Sequence, residues 1–178
     1  MEDLDASDRD ILKEMNLSII KEIYDGENAH EVFEAELEKA LERQCSYILI
    51  EPTKLGEETA RWILFGNFLH KTAVLSGFGS IMSCMVWPDR LFISFPLTSV
   101  SLFCTGVYGV SWQSDPCCKY QVEINPKNLE KLPLHTLTSS SPIVLVRKDD
   151  RRRIVLHTAI TLLAVTFCAF SIFRSYNV

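Results

Sequence analysis

The chain has 178 residues, a formal net charge of −5 and 47% hydrophobic residues, an average that would suit one soluble domain. The distribution excludes a soluble domain, because residues 72–112 and 154–173 carry almost no ionisable side chains, as is typical of a membrane protein. Charge is also divided: residues 1–71 hold 8 Lys and Arg against 17 Asp and Glu, whereas residues 113–153 hold 8 against 5. The two regions could attract each other or attract different partners.

The N-terminal segment, residues 1–27, is acidic. It lacks the basic and apolar regions of a secretory signal and the Arg-rich character of a mitochondrial presequence, so we expect targeting information to be internal. The six cysteines show no CxxC spacing and three lie in apolar segments, where a thiol packs as a small hydrophobic group. A disulfide framework is therefore not expected.

A small α/β domain is predicted from segments on both sides of the first apolar block, residues 28–71 and 113–153. Residues 28–44 place apolar side chains at spacings of three and four, which predicts a helix with a Glu-rich opposite face. Anionic lipid would repel those glutamates, so we expect the helix to dock on protein. Three strands are expected to complete the core, at residues 46–52, 119–124 and 142–149.

Residues 72–112 predict a transmembrane helical hairpin, because the chain must return to the side of the membrane that it left. The arms are Thr72–Trp87 and Leu91–Trp112, separated by a break at residues 88–90. The first arm has 16 residues, about 24 Å, and is short for a hydrocarbon core of about 30 Å, so it must borrow from the apolar stretch before it. The predicted interface and anchor residues are Glu57, Arg61, Trp62, His70, Lys71, Trp87 and Trp112.

Residues 154–173 contain only His157 as an ionisable group and predict a third, C-terminal span, followed by a tail at residues 174–178. The predicted fold class is thus an α+β membrane protein, with a helical hairpin, a third span and a small mixed domain. If the third segment only lay on the membrane surface, both termini would share one side.

Small residues in the hairpin predict close helix packing. Gly77 lies in the first arm, and Ser101, Thr105 and Gly109 form a ladder with a spacing of four in the second. The ladder could seat the hairpin on itself, or also contact a second copy or a partner's span. Neither arm contains Asp, Glu, Lys or Arg, which weighs against a channel or transporter.

The adjacent cysteines Cys117 and Cys118, with Asp115, Lys119 and His135, are candidate docking or redox residues. His135 lies too far along the chain for typical zinc-ligand spacing, so no metal or other cofactor is expected. Lys119 could lower a neighbouring thiol pKa, but adjacent cysteines form only a strained disulfide ring. No catalytic motif is present, and we expect neither enzymatic activity nor nucleic-acid binding.

Four blocks carry a family resemblance: "EIYDGENA", "YILIEPTKLGEETARWILFGNFLHKTAVL", "GVSWQSDPCCKYQVE" and "LPLHTLTSSSPIVLVRKDD". They resemble the transmembrane protein 11 family, also called Pantagruelian mitochondrion I, over roughly residues 22–150. The resemblance implies a multi-pass mitochondrial membrane protein needed for mitochondrial shape and cristae organisation, with the inner membrane favoured over the outer. It also implies that "DPCCKY" is a family block rather than a thiol or metal centre.

The same resemblance implies association with the mitochondrial contact-site and cristae-organising complex, and with outer-membrane mitophagy receptors. Our hypothesis is a non-enzymatic scaffold that binds partners and shapes the bilayer, with a homo-oligomer among its assemblies. The alternatives are an oligomeric channel or transporter, and a thiol redox protein that uses Cys117 and Cys118.

Overall fold

A computed structural model describes residues 16–21, 29–87, 90–125, 128 and 142–176. The described chain forms two compact units: a sheet unit within residues 1–64 and 116–148, and a helical unit within residues 65–115 and 149–178. Most of the acidic N-terminal segment lies outside the described residues, as do Pro88 and Asp89 of the predicted break and His135 of the candidate docking surface.

The sheet unit contains four described strands in the order β1-β2-β4-β3. β1 and β2 are parallel, with Leu17 opposite Tyr47, and β4 is antiparallel to both β2 and β3. The strands are β1 (Leu17–Ile20), β2 (Tyr47–Ile50), β3 (Tyr120–Val122) and β4 (Ile143–Arg147). The three strands predicted from sequence are confirmed as β2, β3 and β4, while β1 was not predicted.

One helix, α1 (Ala29–Glu42), covers the sheet. Its apolar stripe, which includes Phe33 and Leu37, is buried in one hydrophobic cluster with Ile48, Tyr120 and Leu145 from the strands. The glutamates on its other side are exposed. The prediction that this helix docks on protein is therefore confirmed, and the apolar contact explains why a charged sequence forms a stable helix here.

Three long helices follow: α2 (Thr53–Val86), α3 (Leu91–Ser111) and α4 (Arg151–Tyr176). Two of the described helices, α3 and the Arg151–Ser175 part of α4, are long and apolar enough to cross a membrane. α2 is one unbroken helix through the predicted start of the hairpin at Thr72, because no Pro or other breaker lies there. It does not meet the same length and hydropathy test in its described residues, so membrane crossing by its Thr72–Val86 part stays a prediction.

The predicted third span coincides with α4, which begins three residues earlier than the predicted segment and continues through Tyr176, into the predicted tail. Both α3 and α4 expose large apolar side chains along their lengths: Phe92, Phe95, Phe103, Val110, Val155, Leu162, Phe170 and Phe173. Surfaces of this kind are stable in hydrocarbon and unfavourable in water. The helical unit therefore has the surface chemistry of a membrane-embedded unit.

Candidate functional site

Within the helical unit, α2 and α3 are joined by hydroxyl groups. Ser80 Oγ lies 2.6 Å from Thr98 Oγ1 and donates to the Ser94 carbonyl at 3.1 Å. Further along, Ser101 Oγ donates to the Ala73 carbonyl at 2.8 Å. The later contact on α3, at Ser101, thus meets the earlier position on α2, at Ala73. The two helices are therefore antiparallel. Small hydroxyl residues permit this approach because they bring a donor to the contact without bulk.

The same side of α3 binds α4 through Thr161. Its Oγ1 lies 2.8 Å from Ser101 Oγ and 2.8 Å from Thr105 Oγ1. Ser101 is fully buried and Thr161 nearly so. We call Ser80, Thr98, Ser101, Thr105 and Thr161 the hydroxyl seam. Since hydrocarbon offers no hydrogen-bonding partner, each hydroxyl in the seam stabilises the packing of the others.

Gly77 lies at a close approach of the three helices. A Cβ at this position would come within 2.7 Å of Ile160 Cγ2 and 2.8 Å of Ser101 Oγ, so only glycine fits without displacement. Gly109, the last rung of the predicted ladder, differs: an added Cβ would contact only Gln113 Oε1, at 3.7 Å. The structure therefore brings Gly77, Ser101 and Thr105 together and leaves Gly109 away from the helix contact.

A second group of polar side chains lies between the helices, which we call the polar cluster: His70, Tyr108, Asp150 and His157. The Nδ1 atoms of His70 and His157 are 3.1 Å apart, and the Tyr108 hydroxyl donates to Asp150 Oδ2 at 2.6 Å. The Tyr108 and His157 rings meet edge to face, with centroids 4.9 Å apart. Residues from all three helices thus converge on one buried point.

Asp150 is 5% exposed, and its Oδ1 has no hydrogen-bond partner in the described part of the chain. Its backbone carbonyl accepts from the amides of Arg153 and Ile154, so Asp150 lies at the start of α4. A buried carboxylate is costly unless it is paired, and the short bond from Tyr108 supplies one partner. The backbone bonds at the start of α4 and the bond from Tyr108 together fix the position of the Asp150 carboxylate.

Trp112 is buried, contrary to its expected place in an exposed interface belt. Its Nε1 is only 2.6 Å from where a Cβ on Gly66 would lie, and its ring lies 5.4 Å from that of Phe65. Arg153 Nη1 donates to Asn67 Oδ1 at 2.6 Å. Next to the polar cluster, residues 65–67 of α2 therefore contact both Trp112, at the end of α3, and Arg153 of α4.

The other predicted interface residues have separate positions. Glu57 and Arg61 form an exposed ion pair at 3.3 Å, one turn apart on α2. Trp62 and Trp87 are 41% and 55% exposed, and Lys71 is also exposed. His70 alone of this set joins the polar cluster.

The adjacent cysteines lie in a short 3-10 helix, Pro116–Lys119. Neither cysteine forms a disulfide in the described part of the chain. Cys118 is buried, and Cys117 is half-buried against the sheet core. The Lys119 carbonyl accepts from the Lys148 amide at 2.7 Å, which ties this turn to the end of β4, and Asp115 lies just before it, half-buried. Among the described residues, no group of three His, Cys, Asp or Glu side chains is arranged to hold a metal ion.

Tyr120, directly after this turn, is buried in the sheet core. Its hydroxyl donates to the Cys45 carbonyl at 2.8 Å. Burial, with a smaller contribution from the Cys45 and Cys117 thiols, raises the pKa of Tyr120 to about 12. The phenol therefore acts as a permanent hydrogen-bond donor inside the sheet unit.

Sequence reasoning did not identify Tyr108, Asp150 and His157 as members of one site, nor Gly66 and Asn67 as contacts. One signal was available: His157 is the only ionisable residue in residues 154–173, and an ionisable side chain in such a segment usually has a partner. The identity of that partner, 87 residues earlier in the chain, had no local signature.

Comparison with known proteins gives a consistent result. Residues 16–173 match the family described as "Mitochondrial morphogenesis regulator". The chain is 55% identical over 162 residues to "Transmembrane protein 11-B, mitochondrial" of Xenopus laevis, which covers 90% of this chain and 87% of that protein. It is 53% identical over 175 residues to "Transmembrane protein 11, mitochondrial" of Homo sapiens, with coverage of 97% and 91%. No solved structure matches the chain.

Proposed function

Since the chain belongs to the mitochondrial morphogenesis regulator family, we propose that it is a non-enzymatic scaffold in a mitochondrial membrane. It binds partners through the sheet unit and sets mitochondrial shape and cristae organisation. We place it in the inner membrane as a multi-pass protein, with α2, α3 and α4 as its three spans.

The observation that carries this proposal is that the buried polar side chains of the helical unit bond to one another between helices. The hydroxyl seam and the polar cluster bond helix to helix, as in the contacts of Thr161 with Ser101 and Thr105. The apolar side chains face outward. A conduit would require polar groups turned toward a continuous pathway, whereas groups bonded to each other suit a fixed anchor.

The sheet unit supplies a surface suited to binding. Glu31, Glu34, Glu38 and Glu42 are exposed and lie three or four residues apart on α1, so they form one row, which we call the acidic stripe. A row of carboxylates favours a partner with a basic surface and steers its approach at low ionic strength. We propose this stripe as the docking surface of the scaffold.

The partners that we propose are the mitochondrial contact-site and cristae-organising complex and outer-membrane mitophagy receptors. A second copy of the chain is a further proposed partner, through the lipid-facing side of the helices. Support comes from the family membership and from the exposed, charged face of the sheet unit.

The test is complementation in cells that lack their family member. Wild-type chain should restore mitochondrial morphology, whereas the Glu31→Gln/Glu38→Gln variant should accumulate normally, lose co-purifying partners and fail to restore it. Glu36→Gln/Glu58→Gln removes the same charge from exposed positions off the stripe and is the matched control. Equal rescue by both variants would reject the acidic stripe as the docking surface.

One further variant and one flux assay separate the alternative functions. Cys117→Ser/Cys118→Ser should restore morphology fully; its failure at normal abundance would favour a thiol redox protein. Ion or solute flux through purified protein in liposomes would favour a channel or transporter. Protease protection of a tag at Met1, before and after the outer membrane is opened, tests the proposed inner-membrane location.

A further inference from the structure

The three successive arginines that begin α4 differ in what they contact. The guanidinium of Arg153 donates a hydrogen bond to Asn67 within the helical unit. Arg151 and Arg152 are exposed, and within the described residues neither guanidinium makes a hydrogen bond or an ion pair. Two cationic groups are therefore available at one end of a helix that is long and apolar enough to span a membrane.

The two free arginines line a groove together with apolar side chains of the next turn. Its volume is about 330 Å3, and it is lined by Arg151, Arg152, Val155 and Leu156. Val155 is 67% exposed and Leu156 47% exposed. The wall of this shallow groove is apolar. The exposed side chains of Arg151 and Arg152 bring two guanidinium groups to the same turn of the helix. An apolar surface beside two cations suits a ligand with a charged head and a hydrocarbon tail.

We propose that this groove binds an anionic phospholipid. Its phosphate lies between Arg151 and Arg152, and an acyl chain lies along Val155 and Leu156. A guanidinium donates two parallel hydrogen bonds to phosphate oxygens, which an ammonium group cannot do. The apolar wall fits a bilayer lipid better than free phosphate.

Nearby carboxylates do not occupy the site. Asp149 Oδ1 accepts from the Arg151 amide at 3.1 Å, which orients that carboxylate toward the helix backbone. Asp150 is buried and accepts from Tyr108. Both carboxylates reduce the local positive potential, but neither pairs with the guanidinium of Arg151 or Arg152 in the described structure.

The inference rests on the membrane insertion that the proposed function assumes, so the experiment measures insertion and lipid selectivity separately. Full-length protein would be reconstituted into phosphatidylcholine vesicles, and carbonate resistance would report insertion. Purified protein would then be offered equal amounts of phosphatidylcholine and phosphatidylglycerol with the same acyl chains, and native mass spectrometry would count the retained lipids.

Wild-type protein should prefer phosphatidylglycerol, and Arg151→Gln/Arg152→Gln should lose about fivefold of that preference per arginine. The matched control is Arg43→Gln/Lys54→Gln, which removes the same charge from exposed positions of the sheet unit and should leave the preference unchanged. A wild-type preference retained by Arg151→Gln/Arg152→Gln would overturn the inference.

Three other outcomes are decisive. Displacement of phosphatidylglycerol by inorganic phosphate would show a free-phosphate site and reject the lipid. Insertion without any lipid preference would reject this inference and leave the scaffold proposal standing, whereas failure to insert would reject both. Because the attraction is between partly exposed charges, the wild-type preference should weaken with ionic strength, a check that needs no variant.

Discussion

The imidazoles of His70 and His157 face each other through their Nδ1 atoms at 3.1 Å, joining α2 to α4. At this distance one ring donates and the other accepts, so the two neutral imidazoles must adopt opposite tautomers. Two protonated rings would place two donors against each other. The pair is therefore complementary only while it holds a single proton between the two Nδ1 atoms.

Replacing one histidine should destabilise the protein more than its lost contact suggests. In His157→Leu, the Nδ1 atom of the half-buried His70 loses its partner, so we expect a cost near the lower end of the range for an unsatisfied buried polar group, about 1–3 kcal/mol. The double variant His70→Leu/His157→Leu should lose less unfolding free energy than the two single variants together, because it leaves no imidazole nitrogen without its partner. Thermal unfolding in detergent micelles measures all three, with His30→Gln, exposed on α1, as the control.

Gly77 and Gly106 form a matched pair for testing the helix contact. Gly77→Ala should destabilise the protein by about 1–3 kcal/mol, because its methyl group would overlap Ile160 and Ser101. In Gly106→Ala, no other atom of the described residues lies within 4 Å of the added Cβ, so the variant should be neutral or stabilised by up to about 1 kcal/mol, the gain in helix propensity. Equal midpoints in unfolding experiments for the two variants would contradict the close approach at Gly77.

Thr161→Val preserves shape and removes a hydroxyl that contacts both Ser101 and Thr105. We expect a loss of about 0.5–2 kcal/mol in unfolding free energy, the range of interhelical hydrogen bonds in membranes. Thr166→Val is the control, since among the described residues Thr166 bonds only to the Leu162 carbonyl of its own helix. If both variants unfold alike, the seam contributes packing rather than hydrogen bonds.

Tyr120 should make stability fall at alkaline pH. The folded protein keeps the phenolic proton up to about pH 12, whereas an unfolded tyrosine releases it near pH 10. Below pH 10 the protonated Tyr120 contributes fully to the unfolding free energy. This free energy then falls as the pH rises toward 12, because the unfolded state binds fewer protons than the folded state. Denaturant unfolding of wild-type and Tyr120→Phe protein between pH 9 and pH 12 should give a shallower decline for the variant.

The same variant carries a second expectation at neutral pH. Tyr120→Phe leaves the Cys45 carbonyl without its donor, at a cost of about 1–3 kcal/mol. A variant as stable as wild type at pH 7, with an unchanged alkaline slope, would show that the buried hydroxyl has another role.

Local patterns were sufficient for much of the fold. The apolar stripe of α1 and the apolar run of β2 each predict an element within a few residues of its observed bounds. β1 was missed because four residues, "LSII", give too short a pattern, and their strand conformation depends on pairing with Tyr47–Ile50. Pairing between distant segments is a tertiary effect that a local pattern does not contain.

The site was only partly accessible from the sequence. Spacing pointed to Ser101 and Thr105, which both contact Thr161 in the structure, since small polar residues four apart share a helix face. The same spacing named Gly109, which lies away from the contact, because a straight helix drifts from a spacing of exactly four over several turns. His70 was assigned to the membrane interface, since a ring near a span end suits both a headgroup layer and a buried cluster.

The strand order has a consequence for synthesis. β4 lies between β2 and β3, and Ile50 of β2 pairs with Ile143, which the ribosome adds only after α2 and α3 are complete. Until then β2 presents an unpaired edge, which is a template for aggregation. Synthesis of α2 and α3 must therefore precede closure of the sheet, and a chain truncated after α3 would be a natural substrate for chaperones and proteases.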